Sequence, residues 1–134
     1  LDTPGHALHH ICIVDRQTSH IFTGDTFGLS YRQLDNHGRQ FMFATTTPVQ
    51  FDPEALYASI DLLCSYQPDA MYLTHFSRIS DIPTRAKDLK ACVRAHVETL
   101  AGNQADFQAE LDGVRVDLQS IQGRFIFRRR LIPM

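Results

Sequence analysis

Short apolar runs bounded by polar turns open the chain and predict strands. His10 to Val14 (HICIV) holds two isoleucines and a valine, and His20 to Thr23 (HIFT) follows after the polar stretch Asp15 to Ser19. Runs of this length and composition are typical of buried strands, and the polar stretch predicts that the pair forms a hairpin. Gly24-Asp25 ends the second strand. A third buried strand is predicted at Ala70 to Leu73 (AMYL).

Two later segments carry apolar residues at helical spacing. Asp52-Pro53-Glu54 provides an N-cap, a proline in the first turn and an early acidic residue, which together predict a helix start. A second helix is predicted from Thr84 to Leu100, where Gly102 ends it. His96 lies near the apolar face of this helix and is interpreted as a packed or half-exposed histidine. The apolar positions of the first helix are Leu56, Ile60, Leu63 and Cys64.

The segment from Thr26 to Phe51 shows no clear periodicity, although it contains several aromatic residues. A loop of this length inside a compact domain is usually functional or holds a short element of its own. Beyond the second helix, a short helix is predicted around Gln104 to Leu111 and a terminal hairpin from Val114 to Phe127. The element order predicts an α/β or α+β fold.

Composition narrows the class of partner. The 134 residues carry a net charge of -2, so no broad electrostatic affinity for nucleic acid is expected. No apolar stretch approaches the roughly 20 residues of a membrane span, and we expect no membrane partner. The three cysteines are widely spaced and form no CxxC pair, which argues against a disulfide framework or a thiolate zinc site. A reducing, cytoplasmic location is therefore predicted.

Three polar residues stand at predicted strand ends. His6 lies in the turn TPGH before the first strand, Asp25 in FTGDT after the second, and His75 in YLTHF after the third. Sites are often built on such turns, and two imidazoles with one carboxylate suit zinc or a similar divalent ion. Each residue alone also has a structural interpretation: a turn-capping histidine, an Asp forming its own turn, and a core histidine.

Taken together, TPGH with a second histidine, FTGD and LTHF resemble the C-terminal half of the metallo-β-lactamase superfamily, over Thr3 to roughly Ser77. FTGDT is similar to the form found in the glyoxalase-II-like branch. The resemblance implies an αββα sandwich, two sheets with helices outside. Residues 1–101 would form its C-terminal half, and residues 102–134 a C-terminal extension with a short helix and a β-hairpin.

The resemblance also implies a metal site. His6 would be a ligand of one metal, His75 a ligand of a second, and Asp25 the catalytic carboxylate that bridges the two. Two Zn²⁺ ions per complete site are expected, with iron as an alternative. Paired metal ions lower the pKa of a shared water towards about 7, and the resulting hydroxide would attack the carbonyl of a small ester, thioester or lactone.

Further roles follow from the same resemblance. His10 matches the second histidine of a TPGHxxGH pattern and would support the site behind the ligands, as would Thr74 beside the last histidine. His9 stands where the pattern has glycine. Thr26 to Gln50 would form a pocket wall, with four aromatic candidates for contact with a small-molecule substrate: Phe27, Tyr31, Phe41 and Phe43. A core cluster beneath the long loop explains these aromatic residues equally well.

One departure from the family pattern changes the prediction. The superfamily supplies most of its ligands from an upstream HxHxDH motif, but neither HxH nor DH occurs in this chain. We therefore expect the site to be completed by a missing N-terminal half or by another copy of the chain. Half a sandwich would also expose the inner face of its sheet. An iron-dependent dioxygenase or redox protein and a catalytically inactive half-domain are the alternative functions.

Overall fold

The described part of the chain contains a mixed four-stranded sheet. In the computed structural model, which describes residues 1–46, 50–75 and 77–102, the strands are β1 (Ile13–Asp15), β2 (His20–Gly24), β3 (Ala70–Leu73) and β4 (Ser77–Ile79). They lie side by side in the order β1-β2-β3-β4. The central pair β2–β3 is parallel, and the two outer pairs are antiparallel.

Two α-helices within the described residues accompany the sheet. The first, α1 (Pro53–Ser65), begins as predicted: the Asp52 carboxylate accepts hydrogen bonds from the backbone N–H groups of Glu54 and Ala55, at 3.0 and 3.1 Å. The second, α2, occupies residues 82–102 of the described chain. It begins before the predicted Thr84 because Pro83 is compatible with a first helical turn.

The hydrophobic core lies between one face of the sheet and both helices. Alternation along the strands turns one row of paired residues towards the helices, and Ile21, Met71 and Ile79 of this row are all buried. These strand residues pack against the apolar faces of the two helices, which the helical spacing of the sequence predicts. The buried helical residues are Leu56, Ile60 and Leu63 of α1 and Leu89 and Val93 of α2.

The opposite face of the sheet is open and apolar. Ile13 of β1 pairs with Phe22 of β2, and Phe22 pairs with Tyr72 of β3, so the three form a row across the sheet. Ile13 is 61% exposed and Phe22 48%, while the rings of Phe22 and Tyr72 stack at 5.2 Å. Ile11, 63% exposed, extends the same patch. Monomeric proteins rarely expose contiguous apolar surface of this kind without a partner.

The α/β fold class is confirmed, but several elements differ from the sequence prediction. The first strand is shorter than His10 to Val14, because His10 and Cys12 pair with the N-terminal segment: Thr3 N–H donates to the carbonyl of His10 and Cys12 N–H to that of Leu1. The sequence does not predict the strand β4. At three residues (Ser-Arg-Ile), it is too short to show an apolar alternation.

The long aperiodic segment contains short local elements. A 3₁₀ helix covers Arg32–Leu34, and isolated bridges join Leu29 to Phe43 and Asn36 to Arg39. Residues Leu1–Val97 form one compact unit. The short helix at 104–111 and the hairpin at 114–127 fall outside the described residues, and the boundary at residue 101 stays a prediction. Within the described ranges, no helix is both long and apolar enough to cross a membrane.

Adjacent leucines on α1 test the position of the core. Leu63 is fully buried and Leu62 is 39% exposed, yet both are Leu in the same helix. We expect Leu63→Ala to reduce the free energy of unfolding by about 2–5 kcal/mol, because it leaves a cavity. Leu62→Ala should cost less than about 1 kcal/mol. Urea denaturation measures both, and similar losses for the two variants would contradict this packing.

Candidate functional site

The glycine of the TPGH turn lets the chain pass close to helix α1. Gly5 has φ +127°, and a Cβ there would lie 2.3 Å from the backbone nitrogen of Leu56. The carbonyl of Gly5 accepts a hydrogen bond of 2.8 Å from Asp52 N–H, just before the helix. Only glycine fits both the backbone conformation and the contact. The turn therefore fixes His6 relative to the first turn of α1.

The glycine of the FTGD turn makes room for a histidine ring. Gly24 has φ +51°, and a Cβ there would lie 2.5 Å from Nε2 of His10. That same Nε2 accepts a hydrogen bond of 2.9 Å from Asp25 N–H. On the other side of the ring, Nδ1 lies 2.8 Å from Oγ1 of Thr26 and 3.2 Å from Oγ1 of Thr3. The imidazole of His10 thus ties the turn before β1 to the turn after β2.

His10 is held in its neutral form. Its burial lowers the pKa from the ordinary value of 6.5, and the neighbouring His6 lowers it further, while Asp25 acts in the opposite direction. Because Nε2 accepts the hydrogen bond from Asp25 N–H, the proton of the neutral ring is on Nδ1, and Nδ1 donates it to the hydroxyl of Thr26 in a hydrogen bond. Both ring nitrogens are engaged, so His10 positions Asp25 through its backbone and has no nitrogen left for a metal ion.

The carboxylate of Asp25 lies between two imidazoles. Its Oδ2 is 3.7 Å from Nε2 of His6, and its Oδ1 is 3.3 Å from Nε2 of His75. The His75 contact lacks hydrogen-bond geometry, and Oδ1 is buried without a hydrogen-bond donor among the described residues. Nδ1 of His6 lies 2.9 Å from the carbonyl of Thr45, which can only accept, so Nδ1 carries a proton and Nε2 is the nitrogen that faces the carboxylate.

These distances suit ligands of a metal ion better than they suit an ion pair. Two ligands in one tetrahedral zinc shell lie about 3.4 Å apart when each bond is about 2.1 Å. A buried carboxylate oxygen without a donor is costly unless a cation completes it. The two imidazoles face different oxygens, and the described part of the chain contains no group of three His, Cys, Asp or Glu side chains arranged around one point. Each oxygen of the Asp25 carboxylate thus faces one imidazole, Oδ2 that of His6 and Oδ1 that of His75.

The fold has clear structural neighbours. An archaeal metallo-β-lactamase superfamily protein from Sulfolobus tokodaii is 25% identical, with a TM-score of 0.53 over 66% of this chain and 30% of that chain. A metallo-β-lactamase family protein from Thermus thermophilus is 24% identical, with a TM-score of 0.51 over 75% of this chain and 31% of that one. This chain has the metallo-β-lactamase fold. It spans less than a third of the length of either neighbour.

The likeness to these two proteins is one of structure, since no sequence comparison finds a match. No protein-family model matches the sequence, and no curated protein matches it. The resemblance in the three motifs and the likeness in structure are therefore separate observations that name the same superfamily. Both indicate the metallo-β-lactamase fold, over about 30% of the length of the neighbours.

Thr74 joins the turn that carries His75 to the turn that carries Asp25. Its backbone N–H donates a hydrogen bond of 3.3 Å to the carbonyl of Gly24. This contact holds the turn after β3 against the turn after β2, which brings His75 beside Asp25. His9, by contrast, is exposed next to the site. The roles assigned to these residues from the sequence stay predictions.

The expectation that Phe27 contacts substrate is wrong. Its side chain is fully buried in the core cluster, so the alternative of a core residue beneath the loop holds for it. Tyr31 is 37% exposed and lines a cavity that also contains His75. The difference arises because Phe27 lies in the turn directly after β2, whereas Tyr31 lies beyond the bridge that starts at Leu29.

His96 of α2, for which the sequence pattern indicates only packing, lines the cavity beside His75. The volume of this cavity is about 320 Å³. A larger cavity of about 580 Å³ lies near Arg39 and Asp88, and none of the candidate metal ligands lines it. The full lining of the smaller cavity is Leu29, Tyr31, Phe43, Ala44, Thr45, Thr46, His75 and His96.

Substitution of Gly24 tests the contact with His10. Gly24→Ala and Gly38→Ala both place an alanine in a left-handed conformation, at φ +51° and +75°, which costs about 1–2 kcal/mol. Nothing lies within 4 Å of a Cβ at Gly38, whereas the His10 ring must move for one at Gly24. We expect the larger loss of stability, and a shift of the His10 ring resonances in NMR, only for Gly24→Ala. Equal losses for both variants would refute the contact.

The neutral state of His10 predicts a pH effect on metal-free protein. Because the folded pKa lies below the unfolded value, the stabilisation is complete above about pH 6.5 and is lost as the pH falls through the folded pKa. His10→Gln keeps an acceptor for Asp25 N–H but does not titrate. The urea midpoint of the wild type should therefore fall relative to that of His10→Gln between about pH 7 and pH 5. Parallel curves would show that His10 is not held neutral.

Proposed function

We propose that this chain is part of a metal-dependent hydrolase, with a dinuclear zinc site, that cleaves a small ester, thioester or lactone, as in the glyoxalase-II-like branch. The carboxylate of Asp25 carries the proposal. It is partly buried, it faces one imidazole on each oxygen, and its Oδ1 has no donor among the described residues. The metallo-β-lactamase fold supports the same class of reaction, since its neighbours belong to that superfamily.

The donor set fits divalent cations. His6 with Oδ2 of Asp25 would hold one ion, and His75 with Oδ1 would hold the other. A bound zinc pair supplies Lewis acidity, which lowers the pKa of water and stabilises negative charge on a carbonyl oxygen. The carboxylate offsets the mutual repulsion of two cations, which a neutral imidazole cannot do. The carbonyl of Thr45 fixes the tautomer that leaves Nε2 of His6 available as a ligand.

The remaining ligands must come from outside these residues. Zinc takes about four ligands, and each side of this site offers one imidazole and one oxygen. We propose that an N-terminal half-domain covers the open sheet face at Ile11, Ile13 and Phe22 and supplies them; another copy of this chain is the alternative partner. The three free cysteines, Cys12, Cys64 and Cys92, support a reducing, cytoplasmic location.

An iron-dependent dioxygenase is the second candidate. Two histidines and one carboxylate are also the donor types of non-haem iron sites. An inactive half-domain is the third, because the described donors fill only part of a coordination shell. Metal identity and reaction type separate the three.

Zinc binding by matched histidine variants tests the proposal. His6→Ala removes a proposed ligand, while His9→Ala removes an exposed histidine three positions away and leaves the carboxylate untouched. By titration calorimetry we expect His6→Ala and Asp25→Asn to weaken zinc binding by more than about tenfold. His9→Ala should bind zinc as the wild type does. Equal affinity of His6→Ala and His9→Ala would rule out the site.

The reaction itself is tested on the protein with its N-terminal half supplied. We expect hydrolysis of a generic thioester that a chelator abolishes and zinc restores. Iron as the bound metal, together with oxygen uptake on a thiol substrate, would instead favour the dioxygenase. Metal binding without either activity would leave the inactive half-domain.

A further inference from the structure

The cavity beside His75 has the character of a binding pocket for a small organic group. Its volume of about 320 Å³ is at the small end of ligand pockets. Leu29, Tyr31, Phe43 and Ala44 supply mostly apolar and aromatic walls, and His75 reaches it from the candidate metal site. A group that enters this cavity therefore lies next to one of the proposed metal ligands.

His96 is the polar group on the α2 side of the cavity. The rings of His96 and Phe43 pack in a T-shaped arrangement, with ring centroids 4.9 Å apart and planes at 80°. Its Nδ1 lies 3.2 Å from the carbonyl of Cys92, one turn earlier in the helix, and 3.7 Å from the sulfur of the same residue. The backbone N–H of Ala44 donates to this sulfur at 3.4 Å, which ties the cavity wall to α2.

These contacts determine what the other ring nitrogen presents. A carbonyl only accepts, so the proton of the neutral ring lies on Nδ1 and Nε2 keeps its lone pair. None of the described residues hydrogen-bonds to Nε2. Since Nδ1 is engaged by Cys92 of its own helix, Nε2 is the ring nitrogen that is left for a group in the cavity. The cavity thus combines mostly apolar walls with an acceptor on its α2 side, in addition to the polar side chains of Tyr31, Thr45, Thr46 and His75.

We infer that this cavity binds the non-reacting part of the substrate, a short apolar or aromatic group that carries one hydrogen-bond donor, and that His96 is the residue that selects for the donor. This inference rests on the proposed function, because the bound group is part of a substrate only if the site that includes His75 is a hydrolase site. Binding of such a group is a separate property of the cavity and can be measured without metal or turnover.

Two matched probes test this selection. Benzyl alcohol has a hydroxyl donor, and benzyl methyl ether keeps the ring and the oxygen but has none. With chelator-treated protein, NMR titration should show shifts at residues of the cavity, such as Ala44, and benzyl alcohol should bind about fivefold more tightly, as one net hydrogen bond provides. His96→Phe keeps an aromatic ring against Phe43 and should abolish the difference. His96→Gln restores an acceptor and should recover part of it.

Each other outcome has a definite meaning. Equal binding of both probes by the wild type, or a preference that persists in His96→Phe, overturns the role of His96. An absence of shifts at the cavity with either probe overturns the cavity as a binding site. Selective binding in a protein that takes up no zinc even with its N-terminal half supplied would refute the proposed hydrolase and leave the cavity as a ligand site. Zinc-dependent hydrolysis without selective binding would refute only this inference.

Discussion

The hydrogen bond from Asp25 N–H to Nε2 of His10 is the contact on which the site depends. It joins a turn before the first strand to a turn after the second, and the Thr26 hydroxyl fixes the ring from behind. With the backbone of Asp25 fixed, its carboxylate points between His6 and His75. Without this bond, the turn that carries Asp25 would lose its contact with His10, and the hydrogen bond from Thr74 N–H to the Gly24 carbonyl would remain to hold it beside the turn of His75. The neutral imidazole of His10 is therefore as important to the site as the proposed metal ligands.

Sheet topology explains why residues so distant in sequence meet. The strands β2 and β3 are parallel neighbours, so their carboxyl ends lie at the same edge of the sheet, and Asp25 and His75 follow directly. His6 reaches the same edge because its turn passes across the start of α1. The long segment after Asp25 then returns through Thr45 to the site and forms one wall of the adjacent cavity. The sheet thus fixes where the candidate ligands lie, and the ligands themselves belong to the turns and loops.

Much of this could be predicted from the sequence, for identifiable reasons. The buried strand AMYL and the helix start at Asp52-Pro53 have local signals, and the structure has both. The strand Ser77–Ile79 has none, since three residues show no period. The sequence predicts the same role, contact with substrate, for Phe27 and Tyr31. Which of the two is buried depends on tertiary packing, which an aperiodic segment does not reveal. His96 carries helical spacing typical of packing, and only the fold shows which cavity it faces.

The space shared by Gly24 and His10 has an evolutionary consequence. A side chain at position 24 and an imidazole at position 10 cannot occupy the same volume, so the two positions are not free to vary independently. A lineage that first loses the imidazole can then accept a residue such as Asn at position 24, which tolerates the left-handed backbone. The opposite order passes through a clash. Related chains should therefore show these two changes in one historical sequence, with the histidine lost before the glycine.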